Sequence, residues 1–254
     1  DVIDVDLKVK IKMEVIMNVL VIGSAPDSIQ VNNRDIGIFD RVVVINNAWK
    51  VTSHWDELIF PHDFSDENKP NKLINHQKFV TEDQFVPAQN SFGGFVYAGA
   101  TMAFTAGYWS LASHQPTKLC FLGCNMFYNQ SGPTHFYGHG QPDPLRDDIS
   151  LTSLRACSYR MLILAKMRGC DIVSLSSGET NLHVPQTSWH ELLDYQATFA
   201  ISEKKMNEAL KQEKKLNYYV EDGRYWLDEK LFCRNALKKI DRIWIEALTP
   251  TLLN

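Results

Sequence analysis

Val15-Ile16-Met17-Asn18-Val19-Leu20-Val21-Ile22-Gly23-Ser24-Ala25-Pro26-Asp27 is an apolar, largely β-branched run that stops abruptly at small and turn-forming residues. Alternation of apolar and polar residues would mark a strand with one wet face. An unbroken apolar run suits a strand buried on both faces, as in a parallel sheet. The same grammar returns at Arg41 to Ile45, which ends in Asn46-Asn47, and at Leu58 to Phe60, which ends in Pro61-His62-Asp63. It returns again at Lys118 to Gly123 and at Asp171 to Ser176, before Ser177-Gly178. Helical spacing marks Gly99 to Ser113 and Ser150 to Arg168, the second with Ser150 or Thr152 as cap candidates and Gly169 just past its end. Strand, small residues, then helix, repeated, predicts a Rossmann-like, doubly wound α/β fold: a mostly parallel sheet flanked by helices. Lys69 to Gln89 reads as polar, irregular surface.

The 254 residues suffice for one large core, and no stretch reads as a linker, so 1–254 is taken as a single domain. Residues 127–149 read as an active-site loop or lid, and 201–254, opening on the charged helix pattern from Ile201 to Lys215, as a C-terminal helical subregion. The balance of 26 basic and 30 acidic residues offers no broad positive face for a polyanion, so nucleic acid is not an expected partner. No apolar run reaches membrane-spanning length and the N-terminus lacks the pattern of a signal peptide. A cytoplasmic protein with at most peripheral membrane association is expected, compatible with a homo-oligomer or with a piece of a longer chain. The five cysteines follow no metal-ligand spacing and mostly sit in apolar patterns, as reduced core thiols do, so no metal is expected.

In an open parallel sheet, ligands bind beyond the carboxyl ends of the strands. Those ends collect Gly23, Ser24, Ala25, Asn46, Asn47, His62, Asp63, Gly123 and Asn125. Gly23 permits close backbone approach, Ser24 can hydrogen-bond, and the amides of a following helix favour an anion. The turn has neither the Gly-x-Gly-x-x-Gly of dinucleotide sites nor the Gly-Lys-Ser/Thr of phosphate-binding loops. A simple tight turn would look the same. Ser176-Ser177-Gly178 and Asn181 could cradle a phosphate or merely form a turn. The densest segment runs from Phe127 to Gly140, with Tyr128 and Tyr137 around two histidines, His135 and His139. Imidazole titrates near neutral pH, so either histidine could take a proton from a hydroxyl. A loop histidine bonded to backbone, with the aromatics packed as a lid, is the plainer alternative.

These residues resemble the bacterial sialyltransferases of glycosyltransferase family 42 over Val19 to Pro26, Val42 to Asn47 and Gly99 to Ser176. Gly23-Ser24-Ala25-Pro26-Asp27 is similar to the family's Gly-Asn-Gly-Pro-Ser, and Asn46 to its nucleotide-contacting Asn. Leu122 to Tyr128 resembles its Ser-Gly-Ile-Asp-Phe-Tyr with one extra residue. His135-Phe136-Tyr137-Gly138-His139 resembles its His-Tyr-Ile-Gly-His. The resemblance implies a GT-A-like variant of the fold and inverting transfer of a sugar acid from a CMP-sugar donor to a glycan acceptor, such as a surface-glycan precursor, with no obligatory metal. It makes His139 the general base and Tyr128 the phosphate contact. It assigns cytidine to Asn46 or Asn47, and the phosphate to Ser24, Tyr128 and the helix start from Gly99 to Thr101. Asn125 stands where the family has Asp, Ala25 where it has the second Gly, and the stretch from tyrosine to histidine is compressed. Two alternatives share the turn: a pterin diphosphokinase-like phosphotransferase, which would need ATP and magnesium, and a noncatalytic nucleotide-sugar-binding module. No acidic pair at the strand ends is evident to hold a metal for the former.

Overall fold

The computed structural model describes residues 16–74, 76–128, 132–140 and 147–250. The N-terminal pattern through Val15, residues Asn129 to Ser131 and part of the 127–149 loop, 141–146, lie outside the described residues.

Six parallel strands form the central sheet: β1 (Asn18–Ile22), β2 (Arg41–Ile45), β3 (Glu57–Ile59), β4 (Lys78–Val80), β5 (Lys118–Leu122) and β6 (Asp171–Ser174). Their order is β4-β3-β2-β1-β5-β6, so the chain builds outward from β1 in one direction and then returns to start on its other side at β5. The α/β, Rossmann-like expectation holds, and the central sheet is parallel throughout. Side chains alternate between two buried faces. Val19, Val21, Val43, Ile45, Ile59, Leu119 and Phe121 point into one core, while Leu20, Ile22, Val42, Val44, Leu58 and Leu122 point into the other. Burial on both sides is why these strands carry unbroken apolar runs.

The two faces are covered differently. The first carries α1 (Glu82–Asn90), α2 (Phe95–Ala98), α3 (Met102–Ser113) and α4 (Leu154–Lys166). Its core also takes in α5 (Glu203–Leu216) and α6 (Arg234–Ala247), so the C-terminal segment packs into the same hydrophobic body. A small antiparallel pair, β7 (Phe199–Ile201) with β8 (Leu248–Pro250), joins the ends of α5 and α6. The second face is covered by 3-10 turns at Pro26–Asn33 and Asn46–Lys50 and by the chain around Trp189 and Leu192. Pro26 and the Asn-rich stretches favour turns over long helices, which explains why helices did not follow β1 and β2.

Three sequence expectations are corrected. Residues 69–89 hold β4 and most of α1. The signal was present, since Thr81-x-x-Gln84 forms a capping box in which the Gln84 Oε1 accepts from the Thr81 N–H at 2.7 Å. Helix α4 is capped by neither Ser150 nor Thr152 but by Ser153, whose hydroxyl accepts from the Ala156 N–H. Helix α3 starts at Met102 rather than Gly99, with Thr101 as its cap.

Candidate functional site

The reversal of direction between β1 and β5 opens the sheet at its carboxyl edge, the place where a doubly wound fold leaves room for a ligand. Two glycines let the strand ends close up there. A side chain on Gly23 would lie 2.3 Å from the Gly123 carbonyl, and one on Gly123 would lie 2.7 Å from Ser28 Cβ. The Gly23 N–H donates to the Leu122 carbonyl at 2.8 Å and the Ala25 N–H to the Gly123 carbonyl at 2.9 Å. Nothing larger than glycine fits either position.

A cleft of about 1220 Å³ lies over this edge. Ser24, Ala25, Asn46, Asn47, Thr101, Gly123, Tyr128, His135 and Tyr137 line it, so most residues singled out in the sequence converge on one space. Asn46 opens the turn after β2 in the left-handed conformation (φ 50°), which asparagine tolerates better than most residues. Its buried Oδ1 has no hydrogen-bond partner, the signature of an acceptor waiting for a ligand donor or water. Thr101 accepts from the Phe104 N–H, and the next two residues, Met102 and Ala103, line the cleft with N–H groups that have no acceptor within the helix. That end of α3 favours negative charge.

The segment 132–140 folds over this wall as a tight turn. His135 and Gly138 exchange backbone hydrogen bonds at 2.9 and 3.0 Å, and the Phe136 N–H donates to the Ser24 carbonyl at 2.9 Å. The turn is thereby tied to the end of β1. Tyr137 stacks on His135 with centroids 4.9 Å apart, Tyr128 lies 5.8 Å away on the same ring, and the Tyr137 hydroxyl meets Asn47. Thr134 holds the His135 ring in place. Its hydroxyl accepts from the Gly140 N–H at 3.0 Å and lies 3.5 Å from the Gly138 carbonyl. The same hydroxyl is 2.8 Å from His135 Nδ1, a hydrogen bond in which either group can be the donor. Burial lowers the His135 pKa, so the imidazole is neutral at physiological pH.

Four expected residues stand outside the lining: Gly23, which packs against Gly123, and three more. His139 is exposed and does not line the cleft. Gly99 is not a lining residue: its carbonyl accepts from Gln89 Nε2 at 2.9 Å and its φ of +85° sets up the turn into α3. Asn125 turns its amide to Asp27 at 3.4 Å. Ser176 and Asn181 brace the chain after β5, Ser176 accepting from the Gly123 N–H and Asn181 donating to the Met126 carbonyl. The cleft also continues past the strand-end residues Pro61, His62 and Asp63 to Glu82, Asp83 and the segment Asp222 to Trp226, which no sequence pattern marks as part of a site. Among the described residues no three His, Cys, Asp or Glu side chains gather as a metal site would require, and no helix is long and apolar enough to cross a membrane. Cys120, Cys124, Cys157 and Cys170 are buried free thiols whose pKa values burial raises.

Comparison with family models, curated proteins and solved structures finds no match to this chain.

Proposed function

We propose that the chain is a glycosyltransferase that moves a sugar acid, sialic acid or a relative such as Kdo, from a CMP-activated donor to a glycan hydroxyl with inversion. The observation that carries this reading is the meeting, across one cleft, of an anion-favouring helix start and Ser24 with the half-buried His135 imidazole, whose pKa burial lowers. In the reaction the acceptor oxygen bonds to the anomeric carbon as the bond from that carbon to the CMP phosphate oxygen breaks. The acceptor proton passes to His135 and the electron pair leaves with CMP. Asn46 and Asn47 are suited to the cytosine edge and ribose, and Ser24, Tyr128 and the N–H groups of Met102 and Ala103 to the leaving phosphate. This chemistry requires no metal. The base is accordingly His135, in place of the His139 implied by the family resemblance.

The test is a CMP titration by calorimetry followed by CMP release from the CMP-sugar. Binding is expected below millimolar CMP. His135→Ala should reduce turnover by roughly a hundredfold or more with CMP binding kept, and His139→Ala should leave turnover within a few-fold. Folded protein that ignores millimolar CMP would sink the reading. The carboxylates of Asp63, Glu82 and Asp83 along the cleft favour one rival, the diphosphokinase-like phosphotransferase. Turnover of ATP with magnesium, absent with CMP-sugar, would select it.

A further inference from the structure

The cleft is roomier than most small-molecule sites. Those typically enclose about 300–1,000 Å³, less than the 1220 Å³ found here, and the groups assigned to the donor come from the ends of β1, β2 and β5 and the start of α3. Neighbouring strands lie about 4.8 Å apart, so the end of β3, two places along the sheet from β1, sits roughly 10 Å from Ser24. It lies one strand past Asn46 and Asn47, outside the contacts assigned to the donor.

This far end is built differently from the near one. Trp226 is 48 % exposed, although its neighbour Tyr225 is 3 % exposed. The indole is nevertheless held. The Tyr225 hydroxyl donates to Asp148 Oδ2 at 2.7 Å, its ring stacks on Phe95, and Gly223 (φ +74°) lets the backbone pass against Val86 and Phe95. Trp226 itself stacks nearly parallel on His62, with centroids 6.3 Å apart and an interplanar angle of 10°. A fixed, half-exposed indole at a cleft mouth is a platform for the apolar face of a sugar ring. The same cleft is lined by Asp63, Glu82, Asp83 and Asp222, of which Glu82 lies 3.0 Å from His62 Nδ1, with Arg224 the one guanidinium among the described lining residues. Carboxylates bond strongly to hydroxyl protons and repel anions.

We infer that this end of the cleft is a saccharide subsite that holds an outer sugar of the acceptor, away from the reacting hydroxyl, and that the acceptor is a neutral, hydroxyl-rich glycan stacked on Trp226 with hydroxyls bonded to the Glu82 and Asp83 carboxylates. The inference rests on the glycosyl-transfer reading for the word acceptor; the saccharide site itself stands on the indole and carboxylates. Acidic glycans are excluded by the local field, in contrast to the acidic sugar that the donor end takes.

Saturation-transfer NMR tests it with methyl β-galactoside, methyl β-glucoside and methyl β-glucuronide, the last an anionic counterpart of the second, and with CMP titrated separately. At least one neutral glycoside should receive saturation. Trp226→Ala should weaken it about tenfold, Trp226→Phe should restore most of the binding, and CMP affinity should not change in either variant. The glucuronide should bind more weakly than the glucoside. Absence of binding by both neutral glycosides, indifference to Trp226→Ala, or equal binding of glucuronide and glucoside overturns the inference, whatever CMP does. Glycoside binding that depends on Trp226 without any CMP binding upholds the saccharide site and overturns the glycosyl-transfer reading instead.

Discussion

The two edges of the sheet carry the same three residue types to different ends. At the amino edge, His114 Nε2 lies 3.0 Å from Glu57 Oε2, with the Trp109 and His114 rings 6.3 Å apart. At the carboxyl edge, His62 Nδ1 lies 3.0 Å from Glu82 Oε1, with the Trp226 and His62 rings 6.3 Å apart. In the first trio both carboxylate oxygens are engaged: the Glu57 side chain is 1 % exposed, Trp109 Nε1 donates to it at 2.7 Å, and Lys78 Nζ closes on its other oxygen at 3.0 Å. In the second, His62 is 61 % and Glu82 42 % exposed, and the carboxylate keeps capacity for another donor. Composition does not separate structural from binding clusters; burial and spare hydrogen-bonding capacity do.

Removing one carboxylate from each trio tests that distinction. Glu57→Ala leaves the Trp109 N–H and His114 buried without their acceptor, and breaking a buried charge pair in this way costs roughly 3–5 kcal/mol. Glu82→Gln alters an exposed pair and should shift stability by less than about 0.5 kcal/mol. Urea denaturation of both variants at neutral pH gives the two numbers. Equal losses would mean that the carboxyl-edge trio is structural as well, and would remove the ground for treating it as a ligand surface.

The same contrast has a pH dependence. Burial pushes the Glu57 pKa up, but the hydrogen bonds from His114, Trp109 and Lys78 more than reverse this and hold it at about 2, against 4.5 when unfolded. Because the folded value is the lower one, the stabilisation is fully present above about pH 4.5 and is lost as pH falls towards 2. A shift of that size corresponds to something on the order of 3 kcal/mol. Unfolding free energies should therefore fall between pH 5 and pH 3 more steeply in the native protein than in Glu57→Gln, which cannot titrate there. Parallel curves would show that Glu57 does not hold its charge in the fold.

How much of this could be read in advance follows from where each residue finds its partners. Strands β1 and β2 are legible because burial on both faces demands unbroken apolar runs, and the run Arg41 to Ile45 coincides with β2. The donor end of the cleft was legible for a related reason: a parallel sheet gathers strand ends, so Ser24, Asn46 and Gly123 had to be neighbours. Which histidine faced the cleft was not legible. His135 and His139 differ only through the hydrogen bonds that fold 132–140 back onto the Ser24 carbonyl, and those depend on Gly138 at φ +115°. Helix α1 carries its capping box in the sequence, but the polar residues of 69–89 show no apolar period by which to recognise it or β4. The Trp226 platform was out of reach, since Trp226 lies more than 160 positions from His62 in the chain and no local pattern ties the two together.

Gly223 is the point at which the platform can be moved without touching the indole. Its φ of +74° lies in the left-handed region, and an added Cβ would sit 3.0 Å from Phe95 Cε2 and 3.1 Å from a Val86 methyl carbon. Gly223→Ala should cost about 1–2 kcal/mol through backbone strain. The strain can be relieved by lifting the segment 222–226 off α1 and α2, which carries Trp226 away from His62. Glycoside affinity should then fall with the Trp226 side chain still present, while CMP, bound at the other end, is unaffected. The amino-edge trio serves as the internal control, because Glu57 takes its partners from Trp109, His114 and Lys78 at the other edge of the sheet and its pH dependence should survive the substitution. Unchanged glycoside binding in a measurably destabilised Gly223→Ala protein would show that the indole needs no fixed seat, and the carboxyl-edge cluster would then owe its selectivity to its carboxylates alone.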